Sequence, residues 1–123
     1  MLVVDSDEQC RQLLSAILRY GGGLVTSTAS ADEAIGVMRV AKCDVLVVEL
    51  DLASESGVDL IRRVRALERG ESGGVRAIAL SQRGANLHGA AGFDASLTKP
   101  IEPWALCRLV ATLALGSHAD GTR

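Results

Sequence analysis

The chain has 123 residues and a formal net charge of −2. This length is enough for one domain with a buried core and too short for two. The nearly balanced charge gives no reason to expect nucleic-acid binding by the domain itself. Tyr20, Phe93 and Trp104 are the only aromatic residues, so the chain lacks the stacking surfaces that single-strand nucleic-acid binders use.

Three widely spaced cysteines, Cys10, Cys43 and Cys107, lie on apolar faces of predicted elements. Because the chain has no Cys-X-X-Cys motif and no Cys/His cluster, we interpret them as reduced thiols of the core. We recognise no signal peptide, and the longest apolar tract, 104–115, is short and interrupted by Arg108. The sequence therefore predicts a soluble, cytoplasmic domain that does not bind a membrane.

The first half of the chain predicts two strand–helix units. Residues 2–4 form a short apolar strand, and residues 5–7 offer N-caps for a helix over 8–20, which glycines 21–23 end. A second strand is predicted at 24–27. Ser30 or Asp32 caps the second helix, whose inward face comprises Ala31, Ala34, Ile35, Met38 and Ala41.

The third predicted strand is the centre of the domain. Residues 45–48 are apolar without alternation, which is typical of a strand buried on both faces in the middle of a parallel sheet. Glu49 follows at the carboxyl end of this strand. Ligands bind at that edge in open α/β sheets, so this carboxylate is placed for chemistry.

The second half continues the alternation. A third helix is predicted over 57–68. Its inward face comprises Leu60, Ile61, Val64 and Leu67. Its outward face, in solvent, comprises Arg62, Arg63, Arg65 and Arg69. Residues 70–74 form a loop before a fourth strand at 75–80. Glycines in 82–92 limit any helix there to about two turns. A fifth strand is predicted at 94–97, and a last helix over 102–115 buries Leu106, Leu109, Val110 and Leu113.

Five strands alternating with five helices predict an α/β fold, with a parallel sheet covered by helices on both faces. The domain would span 1–115, and 116–123 would be a tail or linker. Polar residues that follow the strands then meet at one edge of the sheet and form a candidate site; they are Asp5, Ser6, Glu49, Ser81 and Lys99.

The motifs at this edge resemble a response regulator receiver domain, the CheY-like module of two-component signalling, over residues 2–115. Residues 3–7 are similar to the acidic motif after the first strand, 44–57 to the phosphoacceptor strand and loop, 78–81 to the strand that ends in a hydroxyl, and 92–100 to the lysine–proline signature. The resemblance implies a flavodoxin-like, doubly wound (βα)5 fold with strand order 2-1-3-4-5 and, in this chain, a shortened fourth helix.

The resemblance also implies roles for the matched residues. An aspartate at position 49 would accept a phosphoryl group, while Lys99 and Ser81 would contact its oxygens. A divalent cation would be held by Asp5, by the residue at position 49 and by the backbone carbonyl of Asp51.

Several residues depart from this pattern. Glu49 replaces the aspartate, and its extra methylene moves the carboxylate away from the attacking position and toward Lys99. Ser6 replaces the second acid of the pocket. Asp7 is better interpreted as an N-cap than as a substitute ligand. We therefore expect Mg²⁺ binding to be weak or absent.

Further departures concern the family's switch. Residues 81–99 are shorter than usual by about one helical turn. Ser96 occupies the position of a switch aromatic, and Ala53 a position where proline is common. The shortened segment and Ser96 put family-style switching in doubt, and Ala53 would loosen the loop after the site.

Three hypotheses remain open. The first is an atypical receiver that binds a protein partner without phosphorylation, with Glu49 either mimicking the active charge state or filling the site. The second is a phosphorylation-competent receiver that accepts a phosphoryl group at the Glu49 site from a histidine kinase or a small donor. The third, a flavodoxin-like ligand binder, lacks a glycine-rich phosphate loop. We favour the first.

The resemblance implies a signalling module and not an enzyme, with no cofactor other than weakly held Mg²⁺. The implied partner is a histidine kinase or an output domain, which could belong to the same polypeptide. A homodimer is left open.

Overall fold

The computed structural model describes residues 1–52, 55–67, 74–82 and 92–122, and only the backbone over 115–122. Five parallel strands form one sheet in the order β2-β1-β3-β4-β5. The strands are β1 (Leu2–Val4), β2 (Thr26–Thr28), β3 (Val45–Glu49), β4 (Arg76–Ser81) and β5 (Ala95–Thr98). The described helices are α1 (Glu8–Tyr20), α2 (Ala31–Val40), α3 (Gly57–Leu67) and α4 (Pro103–Thr122). The predicted fold class and strand order are confirmed.

Strand β3 is buried along its whole length between β1 and β4. Its alternate residues serve two cores, because successive side chains of a strand point to opposite faces. Leu46 and Val48 pack in a cluster with α2 and α3, whereas Val45 and Val47 pack in a second cluster with α1 and α4. This explains why the run is apolar without alternation.

Three strands lie one or two residues later in the chain than predicted. Strand β2 begins at Thr26, and Leu24 is 90% exposed. The pairing of Thr26 with Leu2 fixes the register, and β-branched threonines suit a strand. Strand β4 extends to Ser81 and β5 to Thr98, one residue further than predicted.

The last helix also differs. Helix α4 continues to Thr122, so residues predicted as a tail are helical. Gly116 and Gly121 each cost about 1 kcal/mol relative to alanine in a helix, but the segment contains no proline to end it. The domain boundary at 115 stays a prediction.

The weak fourth helix predicted within 82–92, the loop at 70–74 and Ala53 lie largely or wholly outside the described residues. The described part of the chain therefore does not test the shortening of that helix. Two inward assignments are wrong: Leu67, the last residue of α3, and Ala41, the C-cap of α2, are both exposed, because each lies where its helix ends.

The arginines of α3 are not simply solvated. Arg63 donates hydrogen bonds to Asp32 at 3.0 Å and to Glu55 at 2.8 Å, which ties α2 and the loop after β3 to α3. Arg65 donates to the carbonyls of Val75 and Gly92. The prediction of a solvated basic face holds for Arg62, which is exposed, but is incomplete for Arg63 and Arg65, which are half-buried and have partners in distant parts of the chain. Arg69 lies outside the described residues.

The three cysteines are free and half-buried, in agreement with their interpretation as reduced thiols. None of the helices, as far as the chain is described, is both long enough and apolar enough to cross a membrane.

Candidate functional site

Asp5 enters the site from the end of β1. Its side chain is buried, and its backbone N–H donates to the carbonyl of Thr28, which continues the pairing between β1 and β2. One carboxylate oxygen, Oδ1, accepts a hydrogen bond from the backbone N–H of Asp7 at 2.9 Å. The other oxygen, Oδ2, is buried and faces the ammonium group of Lys99 at 3.9 Å.

Asp7 belongs to the helix and not to the pocket. Its Oδ1 accepts hydrogen bonds from the backbone N–H groups of Gln9 and Cys10, so it is the N-cap of α1. N-caps of this kind satisfy backbone donors that a helix leaves unpaired in its first turn. The N-cap interpretation of Asp7 is therefore confirmed.

Glu49 is the last residue of β3, and only 3% of it is exposed. Its Oε1 lies 3.4 Å from the Nζ of Lys99 and also accepts a long hydrogen bond, of 3.4 Å, from the Nε2 of Gln82. Burial raises the pKa of the Glu49 carboxyl; the charge of Lys99 opposes this shift, and the charge of Asp5 adds to it.

Lys99 follows β5 and is held in place through its backbone, whose N–H donates to the carbonyl of Ser81 at 2.8 Å. The side chain is 22% exposed and points its ammonium group between Glu49 and Asp5. Burial lowers the pKa of Lys99, but the neighbouring Glu49, Cys10 and Asp5 outweigh it, and the pKa is raised overall. Lys99 is therefore the positive charge that two buried carboxylates share.

Ser81 ends β4 at the same edge of the sheet. Ser81 is buried, and its hydroxyl has no hydrogen-bond partner within the described residues. A hydroxyl buried in this way is a free donor and acceptor beside the pocket.

Three predicted site residues take no part in this cluster. Ser96 lies on β5 with its side chain exposed, in a groove that Trp104 and Arg108 also line. Asp51 is exposed in the loop after β3, as expected for a loop charge. Ser6 is half-buried next to Asp5 and contributes no carboxylate.

Two residues of the site were not predicted. Gln82 directly follows Ser81 and reaches Glu49; its position after the fourth strand was the available signal. Cys10 lies in the first turn of α1, beside Asp5 and Lys99. Burial is the main cause that raises the pKa of the Cys10 thiol to about 11, and the nearby Asp5 is the second cause. This thiol is protonated at neutral pH and is a poor nucleophile.

The residues fit a divalent cation poorly. Asp5 Oδ2 and Glu49 Oε2 are buried oxygens without hydrogen bonds to described residues, and they are the available carboxylate ligands. Lys99 already lies close to both carboxylates. The described residues contain no group of three His, Cys, Asp or Glu side chains that could hold a metal. Because Lys99 already pairs with both carboxylates and Ser6 adds no third acid, the pocket offers little of the negative charge that a hard cation such as Mg²⁺ needs from its ligands.

The raised pKa of Glu49 leads to a prediction about stability. Glu49→Gln should increase the free energy of unfolding at pH 7 by about 1 kcal/mol, because the substitution removes a charge whose burial is unfavourable while Lys99 keeps Asp5 as its partner. The ordinary pKa of the group is 4.5, and the folded-state pKa is higher. As the pH falls from neutral toward 4.5, Glu49 becomes protonated in the folded protein, and the two proteins should converge in stability.

Urea unfolding of the wild type and Glu49→Gln at several pH values measures this difference. Glu33→Gln is a control, since Glu33 is exposed on α2. A variant less stable than the wild type at pH 7, or a difference that does not change with pH, would contradict the prediction.

Known proteins share the sequence pattern and the fold of this chain. A sequence model described as "Response regulator receiver domain" matches residues 1–111. An uncharacterized 14.6 kDa protein in the sodA1 3′ region of Leptolyngbya boryana is 36% identical over 126 residues, covering 98% of this chain and 93% of that protein. TcrX of Mycobacterium tuberculosis, described as a probable transcriptional regulatory protein, is 31% identical over 105 residues; the match covers 82% of this chain and 43% of TcrX.

Solved structures show the same fold. A CheY-like response regulator receiver domain protein from Methanospirillum hungatei superposes with a TM-score of 0.86 at 22% sequence identity. The superposition covers 97% of this chain and 95% of that one.

Proposed function

Because the chain belongs to the response regulator receiver domain family of two-component signalling, we propose that it is an atypical receiver that acts by binding a protein partner without accepting a phosphoryl group at position 49. The contact between Glu49 Oε1 and Lys99 Nζ, at 3.4 Å, carries this proposal. A cytoplasmic kinase or output domain is the partner that the family relationship favours. The domain itself would be a signalling module and not an enzyme.

The contact matters because Lys99 matches the lysine that the family resemblance places on phosphoryl oxygens. In this chain a carboxylate of the protein itself faces that lysine, and it is buried and fixed at the end of β3. The additional carbon–carbon bond of glutamate, relative to aspartate, extends the side chain by roughly 1.5 Å. This longer side chain brings Oε1 to 3.4 Å from the Nζ of Lys99.

Charge balance supports the same conclusion. Two carboxylates, Asp5 and Glu49, share the ammonium group of Lys99 inside the pocket. A phosphoryl group would add further negative charge, and we propose that the cation needed to offset it binds weakly or not at all, because Ser6 supplies no carboxylate. Without that cation, phosphorylation at this edge of the sheet is electrostatically unfavourable.

We therefore expect no added phosphoryl mass when the domain is incubated with Mg²⁺ and acetyl phosphate or phosphoramidate. Intact-mass spectrometry measures the result directly. A stoichiometric phosphoryl adduct that Glu49→Ala abolishes would show that the second hypothesis, a phosphorylation-competent receiver, is correct. The buried and unpaired hydroxyl of Ser81 favours that alternative.

Glu49→Asp separates the two causes of the expected loss. This variant restores the shorter side chain but leaves Ser6 in the pocket, so we expect it to remain largely unlabelled. Glu49→Asp combined with Ser6→Asp supplies both features and should gain Mg²⁺-dependent labelling. Efficient labelling of the single variant would contradict the role assigned to Ser6.

A further inference from the structure

Gln82 lies between solvent and the buried Glu49 carboxylate, a position that we call the mouth of the pocket. It follows the last residue of β4 and is exposed, yet its Nε2 donates to the Oε1 of the buried Glu49 at 3.4 Å. The same oxygen faces Lys99 Nζ at 3.4 Å. Two donors, one from the solvent side and one from beside β5, therefore converge on one carboxylate oxygen.

Forming this hydrogen bond costs conformational entropy, which the energy of the bond must offset. A glutamine side chain has several rotatable bonds, and fixing an exposed one loses conformational entropy. The hydrogen bond is charge-assisted, because the acceptor is a carboxylate, and bonds of this type are stronger than neutral ones. It also gives a partner to an oxygen that is buried and would otherwise rely on Lys99 alone.

We infer that Gln82 is a positioning residue that closes the mouth of the pocket, holding the Glu49 carboxylate against Lys99 and restricting the access of small solutes to it. The inference concerns the same pocket as the proposed function and rests on it for its biological meaning. It does not depend on whether position 49 accepts a phosphoryl group, since the hydrogen bond joins the unmodified side chains.

The groups around Glu49 and its partner Lys99 support a role for a neutral donor at this position. Asp5 approaches from the end of β1, Cys10 from α1 and Lys99 from the residue after β5. The pocket thus already holds two acids and one base. A neutral amide adds a donor without adding another charge, whereas a second lysine or an acid would change the charge balance of the pocket.

Carboxyl footprinting tests the closure. The wild type and its variants are treated with a water-soluble carbodiimide and glycinamide at one fixed pH, and peptide mass spectrometry gives the rate of labelling at each carboxylate. Gln82→Ala should label Glu49 about fivefold faster than the wild type, the factor that one typical hydrogen bond is worth. Gln82→Met covers the mouth without donating and should give a smaller increase.

Gln12→Ala is a matched control. Gln12 donates to Glu8 Oε1 at 3.3 Å on the exposed surface of α1, a contact of the same type and length away from the pocket. This variant should leave the labelling of Glu49 unchanged. Equal rates at Glu49 in the wild type and Gln82→Ala would overturn the inference, as would an equal increase at all carboxylates, which would indicate general loosening of the fold.

A spectroscopic measurement on the wild type keeps the inference testable if the variants fold poorly. The side-chain amide protons of Gln82 should exchange with water more slowly than those of Gln9, which is exposed on α1. Glu49→Gln retains an acceptor oxygen and should preserve this protection, whereas Glu49→Met should abolish it. Fast exchange in the wild type would overturn the inference. The phosphorylation assay has no bearing on these outcomes, so the two proposals can fail separately.

Discussion

Lys99→Met should lower the free energy of unfolding by about 3 kcal/mol at neutral pH, the low end of the range for breaking a buried ion pair. The substitution leaves two buried carboxylates, Asp5 and Glu49, without the cation they share. The low end of the range applies because the lysine side chain is 22% exposed, and water can partly replace it. Urea unfolding followed by circular dichroism gives the value.

Two further variants show whether charge is the cause. Lys42→Met is the control for loss of a lysine, because Lys42 is exposed in the segment before β3, and its effect should be within about 0.5 kcal/mol. Adding Glu49→Gln to Lys99→Met should recover part of the lost stability, since one unpaired charge disappears. A loss below about 1 kcal/mol for Lys99→Met, or strictly additive effects in the double variant, would contradict the shared-cation description.

The central part of the fold follows from the sequence because its physical causes are local. The apolar run at 45–48 could only be buried on both faces, and the structure divides it between two cores. Parallel strands then bring their carboxyl ends to one edge, which is why Asp5, Glu49 and Lys99 meet there. The strand order itself came from the family resemblance and not from hydrophobic periodicity.

The remaining features depend on contacts between distant residues, which periodicity does not reveal. Arg63 and Arg65 looked like solvated residues of a helix face, but their partners come from α2, from the loop after β3 and from the segment before β5. Gln82 is polar and exposed, as a loop residue usually is, so its sequence position alone does not reveal a contact with Glu49. That contact depends on the pairing of β3 with β4.

The end of β3 that carries Glu49 lies close to a glycine, Gly57, where a larger residue would not fit. Gly57, the first residue of α3, donates its backbone N–H to the carbonyl of Leu50 at 2.8 Å. A Cβ atom at this position would lie 2.8 Å from the Cα of Leu50 and 2.9 Å from the carbonyl oxygen of Glu49. Both atoms belong to the backbone, so relief requires moving the end of β3 and not merely turning a side chain.

Gly57→Ala should therefore lower the free energy of unfolding by about 2 kcal/mol, within the range for overpacked sites. Alanine is otherwise the better helix former, so intrinsic propensity alone predicts a gain of up to about 1 kcal/mol. The sign of the measured change thus distinguishes steric conflict at β3 from helix propensity. Chemical denaturation of the purified variant measures it.

Gly36→Ala is the matched control, because Gly36 lies in α2 and a Cβ there would have no neighbour within 4 Å. That variant should be as stable as the wild type or more stable, since only helix propensity changes. If Gly57→Ala behaves like Gly36→Ala, the close approach of α3 to the end of β3 does not hold Glu49 in place. If it is destabilised and Glu49 is also labelled faster by carbodiimide, the packing of α3 fixes the carboxylate that faces Lys99.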